Sequence, residues 1–344
     1  MTSEFRPNPL TAAIVGAGVV GEYHIKAQQH AGSEIVIFEP DQARAEDVSK
    51  RFGGLAIARS LEEAIDKADV THICTPHKLH AAGAIASIER ETPVIIEKPL
   101  TVDLGEAIDI YKAARQHDVP TMVGTSFRLT PPFVEMYERL HEGDIGELVS
   151  LETTYLHDMG RVKAGNDWRS SPDRGSFLYG GGAHAVDLNM WMARQPLSSV
   201  QATISPKKVR PSYPGDEDFS LSLAYEDGTT GRVWVSAAAP LPQHGSDLKV
   251  YGTKGAMRAH NKQPHLETYK DGDAGWSSED MGLSPTINEM SIIFNALVRG
   301  ERTDMGRMPD IKEGLQVMIA LDSLERAAET GLVQKVLTVD GLVG

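Results

Sequence analysis

The sequence predicts an α/β protein of two domains: an N-terminal one over residues 1–125 around a parallel sheet, and a C-terminal α+β one over residues 126–344 with a large, mostly antiparallel open sheet. Three observations predict it. At 344 residues the chain exceeds the usual size of a single hydrophobic core. Up to about Thr125, short apolar runs alternate with helical stretches, as strands of a parallel sheet alternate with crossover helices. Beyond it, runs of period two cluster together, as in an antiparallel sheet with one face on helices and one face free.

The first domain begins, after the polar lead-in Met1–Pro9, with a strand at Thr11–Val15. This runs straight into Gly16-Ala17-Gly18-Val19-Val20-Gly21 and a helix reaching about His30. Strand, glycines and helix in that order form the dinucleotide-binding fingerprint of a Rossmann domain. The glycines permit the turn and let the backbone approach a pyrophosphate resting on the helix N-terminus. Gly16, Gly18, Val19, Val20 and Gly21 are therefore expected to hold the cofactor. A second strand, Glu34–Phe38, ends in Glu39, roughly 20 positions beyond the glycines, where an acidic side chain grips a ribose hydroxyl pair. A 2′-phosphate would meet a like charge there, so NAD is expected rather than NADP, with Arg44 and Arg51 the basic residues near enough in sequence to relieve the repulsion.

A helix at Gln42–Phe52, a short strand at Ala56–Ala58 and a helix at Ser60–Lys67, opened by a Ser60/Glu63 capping box, continue the alternation. The strand Val70–Thr75, helix Leu79–Arg90, strand Val94–Ile96, helix Asp103–Gln116 and strand Pro120–Gly124 complete it. In the second domain a helix at Pro132–Glu142 stops at Gly143 and Gly146. Strands follow at Leu148–His157, Val200–Ile204, Asp218–Tyr225, Gly231–Ala237 and Asp247–Tyr251, two of them joined by the Asp227-Gly228 turn. Helices at Ile287–Arg299 and Pro309–Thr330 and a strand at Val333–Val339 close the chain. The free face of such a sheet is a natural oligomer surface, so a homodimer or homotetramer is expected.

Charge and composition narrow the partners. The 48 acidic against 34 basic residues, net −14, argue against a nucleic-acid or anionic-membrane surface and leave small-molecule ligands. No apolar run nears the roughly 20 residues of a membrane span, and Met1–Leu10 shows no basic segment followed by a hydrophobic one, so a cytoplasmic protein is expected. The single cysteine, Cys74, allows no internal disulfide and reads as a small core residue. His72, His117 and His260 read as packed or solvated. His184 and Asp187 are three apart but would need His157 from a distant loop, so no metal is expected.

The stretch Pro93–Leu100, PVIIEKPL, delivers Glu97, Lys98 and Pro99 to the carboxyl end of a buried strand, the end at which α/β sheets bind ligands. A lysine directly after an apolar run is costly unless solvated or employed. Further on, Gly180-Gly181-Gly182 leads into a helix at Ala183–Met192 that carries His184 in its first turn. A helix N-terminus disfavours imidazolium, so His184 is expected to be neutral and able to accept a proton; Asp187, one turn on, would oppose that shift and either hold the ring or contact substrate.

These residues together resemble the Gfo/Idh/MocA oxidoreductases, the glucose–fructose oxidoreductase and inositol dehydrogenase group. The matching segments are Gly16–Gly21, Cys74-Thr75-Pro76 through His80, Glu97-Lys98-Pro99, Phe127-Arg128 with Pro131, Gly143-Asp144-Ile145-Gly146-Glu147, Trp168-Arg169, and Gly182-Ala183-His184 with Asp187. The resemblance implies that Lys98 sits beside the nicotinamide and the reacting oxygen, that His184 is the acid/base, and that the Lys98–Pro99 bond is cis. It also implies that Thr75, Pro76, His80, Glu97 and Arg128 line the cofactor cleft, although His80 taken alone reads equally as a solvated helix-start residue. Arg128, Tyr155, His157, Trp168, Arg169, Tyr179 and Asp187 are the candidate substrate contacts beside Lys98 and His184; Arg169 fits an interface ion pair, and Tyr179 a packed core, equally well. One position departs from the pattern: where inositol dehydrogenases carry an aspartate four residues before the histidine, this chain has Gly180, so a Lys-Asp-His relay does not carry over.

The expected activity is NAD-dependent hydride transfer to or from a hydroxyl-bearing carbon of a sugar, polyol or cyclitol. The alternatives are an NAD-retaining isomerase or glycosidase working through transient oxidation, and a catalytically silent NAD-binding sensor.

Overall fold

The computed structural model describes residues 9–159, 176–207, 218–239 and 244–343. Trp168 and Arg169 lie outside the described residues. Two compact units emerge: the first holds the described residues up to Ser126 together with Pro285–Leu315, the second those of Phe127–Ser284 and from Gln316 onward.

The first unit alternates β1 (Thr11–Val15), α1 (Val19–His30), β2 (Glu34–Phe38), α2 (Gln42–Arg51), β3 (Ala56–Ile57), α3 (Leu61–Asp66), β4 (Val70–Ile73), α4 (His80–Ile88), β5 (Val94–Ile96), α5 (Leu104–His117) and β6 (Thr121–Val123). All strand pairs are parallel, in the order β3-β2-β1-β4-β5-β6. The order reverses between β1 and β4, and there the chain leaves a crevice outside the strands' carboxyl ends. Four of the six strands are β1, β4, β5 and β6, whose interiors are almost wholly buried, as a sheet covered on both faces requires. Three helices start where capping chemistry says they should: Asp41, Ser60 and Asp103 accept backbone N–H groups from Arg44, Glu63 and Glu106.

The second unit contains α6 (Pro131–Glu142), β7 (Leu148–Leu156), α7 (Ala183–Ala193), β8 (Leu197–Ile204), β9 (Asp218–Tyr225), β10 (Thr230–Ser236), β11 (Asp247–Gly252), β12 (Gly255–His260), β13 (His265–Lys270) and β14 (Ser277–Asp280). Next in the chain come α8 (Thr286–Val298), α9 (Ile311–Thr330), β15 (Gln334–Lys335) and α10 (Val339–Val343). Nine strands run in the order β14-β13-β12-β11-β7-β10-β9-β8-β15, antiparallel except for the parallel pair β7/β10. α7 packs on β7 and β10, and α6 on β12 and β13. Among the described residues the opposite face stays open, carrying Trp234 at 44% exposure and a cross-strand charge group in which Glu152 lies 3.6 Å from Arg232 and 3.9 Å from Lys249.

The structure differs from the expectation in three respects. β12 to β14 were not legible, because GAMRAH, HLETYK and SSED mix small, basic and acidic residues that satisfy no simple alternation. The closing strand spans only Gln334–Lys335, and Val339 begins a helix. The second unit is also not one continuous run after residue 125. α8 rejoins the first unit, where its Met290 and Phe294 are fully buried and the helix packs on α1.

Because Phe294 is a completely buried ring, Phe294→Ala is expected to destabilise the protein by about 3–5 kcal/mol in urea unfolding. A variant as stable as the parent would show that α8 is not part of this core.

Candidate active site

The glycine loop leaves β1 at the sheet's switch point. Gly18 caps α1, and a Cβ built on it meets nothing within 4 Å, whereas one on Gly21 would lie 2.0 Å from the Gly16 carbonyl oxygen. The two glycines thus have different causes: Gly21 is demanded by helix–strand packing, and Gly18 keeps open the approach to the unsatisfied N–H groups of the first turn. Val19 stands exposed beside it at 62%. Glu39, at the end of β2, accepts from the backbone N–H of Ala17 at 3.0 Å and of Asp41 at 3.1 Å, with Arg44 3.6 Å away. Its carboxylate is thereby fixed against the loop. Arg51 is spent on Glu22 and Asp47. At the end of β4 the hydroxyl of Thr75 is buried without a hydrogen-bond partner, a polar group placed for a ligand to satisfy. These features fit a dinucleotide.

The next strand end is tied to this one. His80, expected either in the cofactor cleft or in solvent, is instead buried, with Nδ1 2.8 Å from the Pro99 carbonyl oxygen and Nε2 2.9 Å from that of Thr75. Burial lowers its pKa, and the two carbonyls only partly offset this. The ring staples the turn after β4 to the turn after β5. In that second turn the Lys98–Pro99 bond is cis, as the resemblance implied. Lys98 is half-buried, and its backbone N–H donates to Glu97 Oε2 at 3.2 Å.

Glu97 heads a chain of buried polar groups that the sequence did not reveal. His24 Nε2 lies 2.9 Å from Glu97 Oε1, His24 Nδ1 lies 2.8 Å from His72 Nδ1, and His72 Nε2 lies 2.8 Å from Gln28 Nε2. Gln28 then exchanges hydrogen bonds with Asn295 of α8 at 2.9 and 3.3 Å. His24, His72, Gln28 and Asn295 are all completely buried. A signal existed: Gly21, His24, Ile25 and Gln28 repeat at helical spacing, so two polar side chains occupy the core-facing stripe of α1. Burial works against a charge on His24, but Cys74 and Glu97 beside it prevail and push it up to about 10. Burial likewise opposes ionisation of Glu97, yet His24, Lys98 and His80 lower its pKa. His72 has only the burial penalty and the neighbouring His24, and is held well below its ordinary value.

The second unit gathers the aromatic candidates. Thr153 and Tyr155 follow one another at period two along β7, with His157 just beyond its end, on the face covered by α7, where the Thr153 hydroxyl donates to the Ala185 carbonyl at 2.9 Å. His184 stacks on Phe127 with ring centres 4.1 Å apart and planes 10° apart, and its centre lies 5.5 Å from that of Tyr155. Tyr155 stacks in turn on His157 at 4.7 Å, and His157 neighbours His244 at 5.5 Å. The structure thus brings together His184, Tyr155 and His157, and adds Phe127, Phe177 and His244, which sequence reasoning had not assigned to a site.

Three expectations need correction. His184 lies in the first turn of α7, but that turn is not a free end: Leu178–Gly182 forms a π-helical turn continuous with α7, so the free N-terminus lies a turn earlier and its field does not bear directly on the ring. Asp187 neither holds that ring nor is left for substrate. Its two oxygens take the Arg128 guanidinium bidentately, at 2.9 Å from Nε and with Nη2 at 2.6 Å, both side chains almost wholly buried. Arg128 is accordingly a core partner of α7, with its guanidinium over Trp191. Tyr179 is the packed alternative: it is buried, and its hydroxyl donates to Glu325 at 3.1 Å. Lys98 belongs to the first unit and His184 to the second.

Residues 10–125 match the oxidoreductase family with an NAD-binding Rossmann fold, and residues 133–258 match the GFO/IDH/MocA C-terminal domain. The chain belongs to the Gfo/Idh/MocA oxidoreductase family. It is therefore an NAD-binding oxidoreductase, and its first unit is the NAD-binding domain. Among family members it is similar to a levoglucosan dehydrogenase of Pseudarthrobacter phenanthrenivorans, at 27% identity over 72% of this chain and 73% of that one. An inositol 2-dehydrogenase of Corynebacterium glutamicum is 29% identical over 56% of each chain. In fold it matches levoglucosan dehydrogenase solved with NADH and levoglucosan, with a TM-score of 0.85 at 22% identity over 95% of this chain and 99% of that one. No helix among the described residues is long and apolar enough to cross a membrane.

The buried histidines of this Gfo/Idh/MocA protein give its stability a predictable pH profile. His24, raised from 6.5 to about 10, contributes fully below 6.5 and loses that contribution as pH climbs toward 10. His72 and His80, lowered from 6.5, act oppositely: the unfolded chain binds protons they refuse, so stability falls as pH drops below 6.5. Melting temperature is expected to peak near neutrality, with each proton worth at most about 1.4 kcal/mol per pH unit. His24→Gln should flatten the alkaline side; an unchanged alkaline slope would contradict the assignment.

Proposed function

We propose that the protein is a dehydrogenase or reductase that moves hydride between NAD and a hydroxyl-bearing carbon of a sugar, polyol or cyclitol. The observation that carries the reading is a pair of prepared side chains of complementary chemistry: Lys98 at the carboxyl end of β5 in the NAD-binding sheet, and His184 clasped by Phe127. NAD, when bound, supplies the hydride acceptor. Gly16, Gly18, Val19, Val20 and Gly21 hold its pyrophosphate, Glu39 takes the adenosine ribose hydroxyls, and Thr75 and Pro76 border the nicotinamide. The Lys98 ammonium polarises the substrate oxygen and stabilises its developing negative charge, while His184 takes up the hydroxyl proton. Tyr155 and His157, half-buried beside His184, contact the substrate. Trp168 and Arg169 are proposed as substrate contacts on the resemblance alone. Arg128 and Asp187 act by fixing the helix that carries His184.

The relatives' names give a starting panel of levoglucosan, inositol isomers and common pyranoses, each assayed with NAD and with NADP. NAD should be preferred, since Glu39 would face a 2′-phosphate. On whichever substrate turns over, Lys98→Met and His184→Ala should each lower kcat by about 10²–10⁴ while NAD affinity changes only a few-fold. Full activity in both variants would place the chemistry elsewhere.

The open face of the second unit's sheet is proposed to be covered by a second copy, giving a homodimer or homotetramer. An exposed Trp234 among paired charges fits an interface better than a solvated sheet. Light scattering at micromolar concentration should return a multiple of the chain mass, and a monomer mass would refute it.

A further inference from the structure

Glu97 is a buried carboxylate at a strand end of the NAD-binding unit, and groups from several elements face it. His24 of α1 takes Oε1, the Lys98 backbone takes Oε2, and Gly124 after β6 leaves the room, since a Cβ there would stand 2.9 Å from Oε1. His72 of β4 and Cys74 just beyond it flank His24, His80 of α4 lies nearby, and the Lys98 ammonium adds positive potential. Behind His24 the chain continues through His72 and Gln28 to Asn295, with Ser33 donating to Gln28 Oε1 at 2.6 Å. A single line of hydrogen bonds therefore links the turn bearing Lys98 to a helix almost two hundred residues later in sequence.

Proton counting shows what this line controls. His24 Nδ1 and His72 Nδ1 are 2.8 Å apart, so one proton serves both nitrogens. When His72 holds it, His24 is neutral and donates to Glu97 from Nε2, and the Gln28 amide nitrogen donates to His72 Nε2. When the line binds one further proton, His24 is an imidazolium against the Glu97 carboxylate and donates from Nδ1; neutral His72 then accepts at Nδ1 and carries its proton on Nε2, and the Gln28 amide must present its oxygen instead. Gln28 is paired to Asn295 through both amide atoms, so the two amides turn together or not at all. The amide pair thus decides which arrangement supports the carboxylate.

We propose that His24, His72, Gln28 and Asn295 form a buried relay that fixes the Glu97 carboxylate and thereby aims Lys98, which makes His24 and Asn295 positioning residues for the hydride-transfer site. The inference rests on the proposed placement of Lys98 beside the nicotinamide. It assigns α8 a task beyond packing, as the anchor of the relay's far end. Because a half-satisfied buried network is costlier than none, loss of either end is felt at the other.

Sulfite is a suitable probe, since it needs no sugar substrate. Its sulfur lone pair bonds to C4 of nicotinamide in bound NAD; the ring's positive charge is neutralised, the ring becomes a dihydropyridine, and no group leaves. A well-aimed ammonium beside the ring favours this adduct. With NAD saturating, Lys98→Met is expected to weaken sulfite binding by about tenfold or more. Asn295→Leu and His24→Gln are expected to weaken it by about fivefold, while NAD affinity stays within about twofold. Nitrogen-15 spectra of the histidine rings in the protein without cofactor supply the second measurement. Asn295→Leu should shift the ring nitrogens of His24 as well as those of His72.

If Lys98→Met leaves sulfite binding unchanged, the placement of Lys98 fails and the relay's role falls with it. If Lys98→Met weakens the adduct but both relay variants match the parent, the relay inference alone is overturned. Should one relay variant fail to fold, the other decides. Unmoved His24 nitrogens in Asn295→Leu would break the line at its middle and overturn the inference independently.

Discussion

A carboxylate cannot be sunk into the core of a parallel sheet without a partner, because its desolvation costs several kcal/mol that only charge and hydrogen bonds offset. Glu97 meets that condition at the end of β5, and much of the first unit follows from it. The helix that opens on the cofactor's glycine loop must bring a histidine, His24, to the sheet rather than another aliphatic side chain. The strand at the switch point must place His72 and Cys74 where His24 can reach them. The polar line then needs a terminus, and Gln28 finds it in Asn295, which gives α8 a reason to return across so much intervening chain. Breaking such a pair by removing one member leaves an uncompensated buried charge, so the arrangement is costly to vary piecemeal.

The second unit solves a parallel problem by other means. Arg128 and Asp187 form a buried bidentate pair, but their role is to lock α7 to the segment preceding α6, leaving neither charge for solvent. With α7 fixed, His184 is oriented by ring stacking on Phe127. Stacked and tilted rings gain only about 0.5–1.5 kcal/mol each beyond their burial, and they set the plane of the imidazole. The two units thus hold their candidate catalytic groups differently: Lys98 is held by backbone and a charged relay, and His184 by shape.

How much of this was legible in the sequence depends on whether a feature is local. The glycine loop, Glu39, the Lys98-Pro99 turn and the alternation of strands and helices are contiguous patterns, and they were read with boundaries close to those observed. Residues whose role is set by a distant partner were misread. Asp187 looked like a companion of His184 because they lie one turn apart, yet Arg128, 59 positions earlier, claims it. Tyr179 gave no sign of Glu325, and His80 gave no sign that two carbonyls from separate strand ends would enclose it. The return of α8 could not be inferred either, since its amphipathic pattern says that one face is buried and not against what.

The run Gly180-Gly181-Gly182 shows how the same residues support two physical accounts. As sequence, three glycines before a histidine suggest a flexible approach ending in a helix N-terminus. In the structure Gly181 is required by packing: a Cβ would fall 2.7 Å from the Phe177 ring and 2.8 Å from Tyr155, the ring next to His184. The backbone there is wound into a π-helical turn, which places one extra residue per turn and brings Tyr179 inward to Glu325 while His184 is set a turn inside the helix. The carboxylate that inositol dehydrogenases place four residues before the histidine therefore has no counterpart at Gly180, and Asp187 cannot replace it while it holds Arg128.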